Sequence, residues 1–335
     1  MRYPMQQKSL STKDTPGSKS ELKAKLTFAG IFIVGVAVVF FIFNLLTHGN
    51  FLEWQNIKII LANMVYPSFM AWGMCFLFAC GYNDMSWGGV VVLASFATGV
   101  FANMYGLVAG LIAGVLVGTV LVFINFCIFA YTKIPSWIAS LSLAMIYEAI
   151  AVFLYRGKST KALVEAPMAK ELRIFGLLPW SLVVLAVGFV IIYFVYNRTI
   201  IGYNIRAIGG NANVSRALGV NVRKTLLWVG LICGLIIGIT SFLQESYAGI
   251  TTVKTGLASI LLIFQPLAIA LLADILQKKI NIIIAVPVCA FLLYAVFNMM
   301  TLMHIPSGTL QEALLCLFII VFAVVGQRGV KEVVK

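Results

Sequence analysis

The sequence predicts an all-α membrane protein with about ten transmembrane helices, or eight to nine in the alternative count. Hydrophobic residues make up 61% of the 335 residues, and only 10% are charged. A soluble domain carries about 25% charged residues, so this composition indicates a bilayer. The apolar residues also form runs of about 20, the length of a helix that crosses the hydrocarbon core.

Ten apolar segments are candidate spans: 26–46, 57–80, 86–104, 107–131, 137–155, 179–196, 225–244, 258–276, 280–298 and 309–326. The basic, Ser/Thr-rich segment 1–25 is predicted to be a disordered cytoplasmic tail. Residues 26–326 form the predicted transmembrane domain, and 327–335 form a second cytoplasmic tail. We expect no cleaved signal peptide, because the first apolar run is of spanning length and lacks a small-residue cleavage site.

The positions of the basic residues predict the orientation. With the N-terminus in the cytoplasm and ten alternating spans, 17 of the 24 lysines and arginines fall on the cytoplasmic side. This bias follows the positive-inside rule and predicts that both termini are cytoplasmic. Five of the seven basic residues on the outer side lie in one discordant loop, 156–178.

Two predicted spans carry a glycine at every fourth position, which places a glycine stripe on one helix face. The fourth span has Gly106, Gly110, Gly114 and Gly118, and the seventh has Gly230, Gly234 and Gly238. Such stripes allow close helix packing where lipid supplies no hydrophobic driving force. The stretches GLIAGVLVG and GLICGLIIG are also alike, so an inverted repeat is a second interpretation.

The segment Gly81–Gly89, GYNDMSWGG, interrupts otherwise continuous apolar sequence. A helix is expected to end here and to restart at Trp87, with Asp84 or Ser86 as its cap. One interpretation is a solvated turn with a capping acid. The other is a broken helix in which Asn83, Asp84 and Ser86 line a translocation path, since freed backbone groups need protein or water around them.

Three further polar residues lie inside predicted spans. Glu148 is a charge near the middle of a span, where it is expected to face the bundle interior, a cavity or a partner. Asn125 and Asn298 are similar cases. For all three the alternatives are a hydrogen bond between helices and a place on the translocation path.

The loop 197–224 is the longest predicted cytoplasmic loop and carries helix-capping signals. Asn211 is a suitable N-cap and Gly219 a suitable C′ residue, which predicts a helix over Ala212–Leu218. A helix this short needs a partner surface for stability. That surface is either a separate subunit or the chain's own helix bundle.

The sequence predicts no enzyme activity for this chain. It contains no phosphate-binding loop, zinc-protease motif, nucleophile elbow or paired Cys/His cluster. We therefore expect no catalytic residues, no metal and no bound cofactor. The net charge of +13 is explained by the membrane orientation, so no nucleic acid partner is expected.

Three stretches carry a resemblance to the permease subunits of bacterial ABC importers of the ribose/galactose/autoinducer-2 type, within the branched-chain amino acid/ribose permease family. Residues 71–89 resemble a family stretch like ALGMTLVIITGGIDLSVGS. Residues 125–142 resemble NGLLVAKLKIPPFIVTLG, and residues 198–222 resemble TRFGRYIYAIGGNxxAARLSGINV. The resemblance covers roughly 56–245 and fades beyond it. Glu148 and Tyr203 each stand where the family often has arginine.

This resemblance implies a type II ABC importer-like bundle in the bacterial inner membrane that transports a monosaccharide or related small polar solute. It implies that a coupling helix in loop 197–224 docks on an ATPase subunit, which binds ATP and Mg. The coupling residues would be Gly209, Gly210, Asn211, Arg216, Ala217, Leu218 and Gly219. The implied partners are ATPase subunits, an extracytoplasmic solute-binding protein, and a second permease copy or a paralogue. An ion-coupled secondary transporter is the alternative.

Overall fold

A computed structural model describes residues 18–132, 134–156, 160–161, 168–277, 279–305 and 308–327. Within these ranges the chain forms fourteen α-helices, two 3₁₀ turns and two short strands. The helices are α1 Ser18–Leu46, α2 Trp54–Asn63, α3 Val65–Ala79, α4 Trp87–Tyr105, α5 Leu107–Tyr131, α6 Ser136–Leu154, α7 Met168–Gly176, α8 Trp180–Arg198, α9 Ile200–Gly210, α10 Ala212–Ala217, α11 Val222–Ala248, α12 Leu261–Leu276, α13 Ile282–Leu302 and α14 Thr309–Gln327. The 3₁₀ turns are Asn50–Leu52 and Ala258–Ile260. Strands β1 Thr160–Lys161 and β2 Thr251–Thr252 pair antiparallel.

Eight of these helical segments are long and apolar enough to cross a membrane. They are Trp54–Ala79, α4, α5, α6, α8, α11, Ala258–Leu276 and α13. Shorter apolar stretches of described residues lie in α1 and α14, at Ile33–Leu46 and Leu310–Val321. The chain is therefore an all-α, multi-pass membrane protein, and each of the ten apolar segments predicted from the sequence falls on helix.

The bundle is built around α3 and α11, which pack against α4, α5, α9 and α12. The outer helices present large apolar side chains on their free faces, as α8 does with Val187, Val190 and Phe194. Water would oppose such exposure, whereas lipid does not. We call the end of the bundle that carries α10 the α10 end, and the opposite end, which carries β2, the β end.

The predicted glycine stripes allow close packing on both sides of α5: Gly110 and Gly114 pack against α4, and Gly118 brings α5 into backbone contact with α11. A Cβ atom added at Gly118 would lie 2.7 Å from the Cα atom of Gly238. One added at Gly234 would lie 2.7 Å from the Cα atom of Thr119. The prediction of close packing is confirmed, because the two helices meet where neither has room for a side chain.

Several boundaries differ from the sequence prediction by a few residues, and two of the differences have a clear physical reason. Residues 18–25, predicted to belong to a disordered tail, are the first turns of α1, whose stretch SELKAKL is rich in good helix formers. Residues 1–17 and 328–335 of the predicted tails lie outside the described residues. Helix α11 reaches Ala248, four residues beyond the predicted 244, and ends at Gly249 in the left-handed conformation, φ +66°.

Candidate functional site

The predicted helix break lies between α3 and α4, and Asp84 is at its centre. The backbone leaves the helix after Ala79 and re-enters it at Trp87. Asp84 is 3% exposed and its carboxylate accepts four hydrogen bonds. Oδ1 accepts from the Ser86 amide at 2.9 Å and the Ser86 hydroxyl at 2.6 Å, and Oδ2 from the Trp87 indole at 3.1 Å and the Asn125 amide at 2.8 Å. Asp84 therefore joins the start of α4 to α5, whereas Ser86, the N-cap residue, makes no capping bond with its own side chain.

Asn125 extends this network to α6. Its Nδ2 also donates to the Ser86 hydroxyl at 2.6 Å, and its Oδ1 accepts from the Tyr147 hydroxyl at 2.7 Å. A polar network buried in this way is favourable only when its groups are paired, so it fixes the relative positions of three helices.

Glu148 binds the start of another helix. It is 5% exposed, and its two carboxylate oxygens accept backbone hydrogen bonds from Leu257 at 2.9 Å and from Ser259 at 2.8 Å. These amides open the 3₁₀ turn that leads into α12. An acid at a helix N-terminus satisfies orphan N–H groups and interacts favourably with the helix dipole.

The remaining two predicted path residues lie elsewhere. Asn83 is exposed, and its backbone amide donates to the Ser136 hydroxyl at 3.2 Å. Asn298 on α13 accepts a 2.7 Å hydrogen bond from Asn56 on α2. The structure thus gathers Asp84, Ser86 and Asn125 into one network, sets Glu148 beside it on α6, and places Asn83 and Asn298 apart from it.

Sequence reasoning missed Glu245. This side chain is fully buried near the β end of α11, and one carboxylate oxygen accepts from the Thr251 hydroxyl. The other oxygen has no hydrogen-bond partner among the described residues. The sequence signal for this was Gly249. A glycine suits the position that ends a helix, so Gly249 predicts that α11 continues past residue 244 and includes Glu245.

The loop at the α10 end is closed by its own side chains. Asn211 Oδ1 accepts from the Asn213 amide at 3.0 Å and the Val214 amide at 3.1 Å, which caps α10. At the other end Gly219, φ +87°, donates to Arg216, and Val220 donates to Ser215, the two bonds of a Schellman motif. The predicted N-cap and C′ residues are confirmed, with α10 ending at Ala217.

Helix α10 presents apolar side chains away from the bundle. Val214 is 54% exposed and Leu218 79% exposed, with Arg216 and Ala217 exposed between them, whereas Ser215 is buried. On the described residues this outer face of α10 has no covering element. An exposed apolar face on a two-turn helix indicates a binding surface for another protein.

The same loop is packed onto the helix break. A Cβ atom at Gly209 would overlap the carbonyl oxygen of Ala79, the last residue of α3. Arg206 ties α9 to α8 through a 2.8 Å bond from its Nη1 to the Tyr196 carbonyl. The loop is therefore in contact, through Gly209 of α9, with the backbone that leads to Asp84.

A cleft of about 740 Å³ separates the α10–α11 turn from the end of α5. Its lining includes Tyr82, Tyr131, Arg216 and Arg223, and the Arg223 guanidinium lies over the Tyr131 ring, 5.8 Å from the ring centroid. No group of three or more His, Cys, Asp or Glu side chains is arranged to hold a metal ion in the described ranges.

The described residues thus form an all-α bundle of eight helical segments that are long and apolar enough to cross a membrane, with a capped, exposed loop helix at one end. Residues 56–324 match the family described as branched-chain amino acid transport system / permease component. The chain belongs to this family and is a permease component rather than an enzyme.

Individual relatives are similar over about half to three quarters of their length. The L-arabinose transport system permease protein of Escherichia coli (strain K12) is 30% identical over 246 residues, 71% of this chain and 74% of that protein. The L-arabinose ABC transporter permease protein of Azospirillum brasilense is 26% identical, covering 67% of this chain and 66% of that protein. The guanosine ABC transporter permease protein of Bacillus subtilis (strain 168) is 24% identical, covering 47% and 45%. No solved structure matches the chain significantly.

Proposed function

We propose that this chain is the membrane-spanning subunit of an ATP-driven ABC importer for a monosaccharide or a related small polar solute. A second copy or a paralogue completes the translocation path in the bacterial inner membrane. An extracytoplasmic binding protein delivers the solute. Family membership and the names of the relatives support this proposal, since those names include an L-arabinose transport system.

The observation that carries the proposal is the exposed face of α10. A face with Val214 and Leu218 outward, fixed by caps at both ends, is preformed for docking. We assign it to an ATPase subunit, which binds ATP and Mg, while this chain holds no cofactor. The coupling residues are Gly209, Gly210, Asn211, Arg216, Ala217, Leu218 and Gly219, of which Gly209 and Gly210 form the joint with α9.

The contact between Gly209 and Ala79 supplies the transmission step. Closure of the ATPase pair displaces α10 and α9. The backbone at Ala79 moves with them, because it is in direct contact with the Gly209 backbone and no side chain lies between the two. The Asp84 network then shifts the start of α4 relative to α5 and α6. Asp84, Ser86 and Asn125 form the network that moves, and Glu148 lies beside it on α6. Asn83 and Asn298 are proposed as path residues outside this network.

The charge distribution supports the orientation. We propose ten spans in a type II importer-like bundle, with α1 and α14 as the first and last and with both termini and the α10 end in the cytoplasm. Loop 197–224 then contributes five cytoplasmic basic residues, in agreement with the positive-inside rule. An ion-coupled mechanism has less support, because the similar proteins are named as ABC transporter permeases. Both oxygens of Glu148 and both of Asp84 are also engaged by protein donors, which leaves one oxygen of Glu245 as the unpaired buried acid oxygen among the described residues.

A substitution at Ala217 tests the docking surface. Ala217 is exposed, so Ala217→Glu is expected to leave folding intact while a charge faces the docked subunit. We expect solute uptake in proteoliposomes to fall about tenfold or more, the effect of about 1.4 kcal/mol of lost docking energy. Ala217→Ser, which is small and neutral, is the matched control and is expected to retain uptake.

The proposal fails if the Ala217→Glu complex imports solute at the full rate. It also fails if the chain, purified gently from its native membrane, arrives without an ATPase and moves solute alone down an ion gradient. That second outcome would establish the ion-coupled alternative.

A further inference from the structure

The backbone between α11 and α12 is irregular inside the bundle. Residues 253–257 form neither helix nor strand, and the 3₁₀ turn Ala258–Ile260 follows them. Gly256 and Leu257 are both left-handed, with φ +68°. Leucine rarely adopts this conformation, so surrounding contacts must hold it there.

Two contacts hold this segment inside the bundle. Leu257 and Ser259 bind Glu148 on α6. A Cβ atom at Gly88 would overlap the Ser259 carbonyl oxygen, and Gly88 lies 17 residues, or about 26 Å, from the end of α4 at the β end. The segment therefore enters the hydrocarbon layer, which is about 30 Å thick.

Part of this deep backbone is exposed. Thr255 and Gly256 are exposed, and Lys254 and Leu257 are half-buried. Irregular backbone at membrane depth does not face lipid, because its peptide groups would lack partners there, so it faces protein or a water-filled cavity. The exposed apolar face of α8, by contrast, is helical and carries only hydrocarbon at Val187 and Val190.

We propose that Lys254–Leu257 line the aqueous translocation path and that Glu148 is the positioning residue that holds them there. The Thr255 hydroxyl and the exposed peptide groups are donors and acceptors suited to a polyhydroxylated solute. Glu148 acts through Leu257 and Ser259 rather than by touching the solute, because its two oxygens are engaged by those amides. This inference deepens the proposed function and rests on it for the solute.

Cysteine labelling tests the path. Thr255→Cys is placed in the full complex, with Cys127 and Cys316 changed to Ser because the other four native cysteines are buried. Val187→Cys is the matched control, since Val187 is 55% exposed and seven residues, about 10 Å, from the first residue of α8. A charged, membrane-impermeant thiol reagent is applied to both sides of the membrane.

We expect Thr255→Cys to react at least about tenfold faster than Val187→Cys, because a charged reagent needs water to reach a thiol at this depth. Equal rates would overturn the path assignment. A fast Thr255→Cys rate that ATP and solute leave unchanged supports the path assignment and counts against the proposed ATP-driven function. The two proposals therefore fail separately.

Glu148 variants test the positioning role. Glu148→Ala removes both acceptors, and we expect the labelling rate of Thr255→Cys to change at least about fivefold as the segment is released. Glu148→Gln keeps one acceptor oxygen and is expected to restore much of the original rate. A labelling rate unaffected by Glu148→Ala, in protein that extracts as a stable complex, would overturn the positioning role.

Discussion

The α10 loop and the starts of α4 and α12 all contain irregular backbone next to a helix. Their hydrogen-bond partners, however, lie at very different distances along the chain. Asn211 caps α10 through amides two and three residues away. Asp84 binds Ser86 and Trp87 locally but also Asn125, 41 residues away, and Glu148 binds Leu257 and Ser259, 109 and 111 residues away. The caps of α10 are therefore entirely local. The starts of α4 and α12 also depend on contacts that form only when distant parts of the chain pack together.

This difference fits the proposed roles of the two regions. A helix that docks on an ATPase subunit has to present the same face before and after binding, which local caps achieve at small cost. In the proposed transport cycle the starts of α4 and α12 move together, and buried networks that join several helices would transmit such movement. The contact of Gly209 with Ala79 joins the α10 loop to the backbone that leads to the Asp84 network.

The largest expected effect comes from removing the long-range network at Asp84. Asp84→Ala leaves the Ser86 amide and hydroxyl, the Trp87 indole and one Asn125 hydrogen without their acceptor. Each buried donor left unpaired costs about 1–3 kcal/mol, so we expect a loss of about 4 kcal/mol or more in the free energy of unfolding. The measurement is the yield of monodisperse protein after detergent extraction, together with its unfolding midpoint.

Asn83→Ala is the matched control for this variant. Asn83 is the adjacent residue but is exposed, and its recorded bond is made by its backbone, so we expect near wild-type stability. Stable Asp84→Ala protein with a wild-type unfolding midpoint would show that the interior network does not hold the helices together.

A smaller effect is expected from the close contact of α5 and α11. A Cβ atom at Gly238 would lie 2.5 Å from the Cα atom of Val115, so Gly238→Ala forces the helices apart. Overpacking costs about 1–3 kcal/mol, which exceeds the gain of up to about 1 kcal/mol from replacing a helical glycine with alanine. We expect a lower free energy of unfolding in a denaturant titration in micelles.

Gly35→Ala in α1 separates packing from helix propensity. No described atom lies within 4 Å of a Cβ placed at Gly35, so this substitution is expected to be neutral or stabilising. If Gly238→Ala is also neutral or stabilising, the backbone contact between α5 and α11 does not contribute to the free energy of unfolding.

The sequence predicted what local chemistry controls. Apolar runs located every helix used as a candidate span, and Asn211 and Gly219 located both ends of α10, because caps and run lengths depend on neighbouring residues alone. Glycine spacing predicted a close-packed face, although only the structure pairs Gly118 with Gly238. The break at Asp84 was predicted, but the hydrogen bonds of Asn125 to Asp84 and of Tyr147 to Asn125 were not, since they depend on how three helices pack.

The contacts made by the region after residue 245 could not be predicted from the sequence. Glu148 was recognised as a costly intramembrane acid, but nothing near it in the sequence indicates that its partners are backbone amides of residues 257 and 259. The irregular segment before α12 was also invisible, because a main-chain site presents no side-chain motif. Helix α7 was missed because its nine residues, MAKELRIFG, are too few and too polar to read as a span.

The smallest effect is expected from Asn211→Ala, which removes a local cap in the α10 loop. Losing this N-cap costs α10 about 1 kcal/mol, but the membrane bundle does not depend on the cap, so the unfolding midpoint of the whole protein should stay unchanged. Uptake in proteoliposomes should fall by up to about fivefold, as a frayed α10 presents its docking face for less of the time. Asn213→Ala, at an exposed neighbouring position, should keep full uptake. A global loss of stability in Asn211→Ala would mean that the α10 loop is part of the folding core, and the contrast between the two regions would no longer hold.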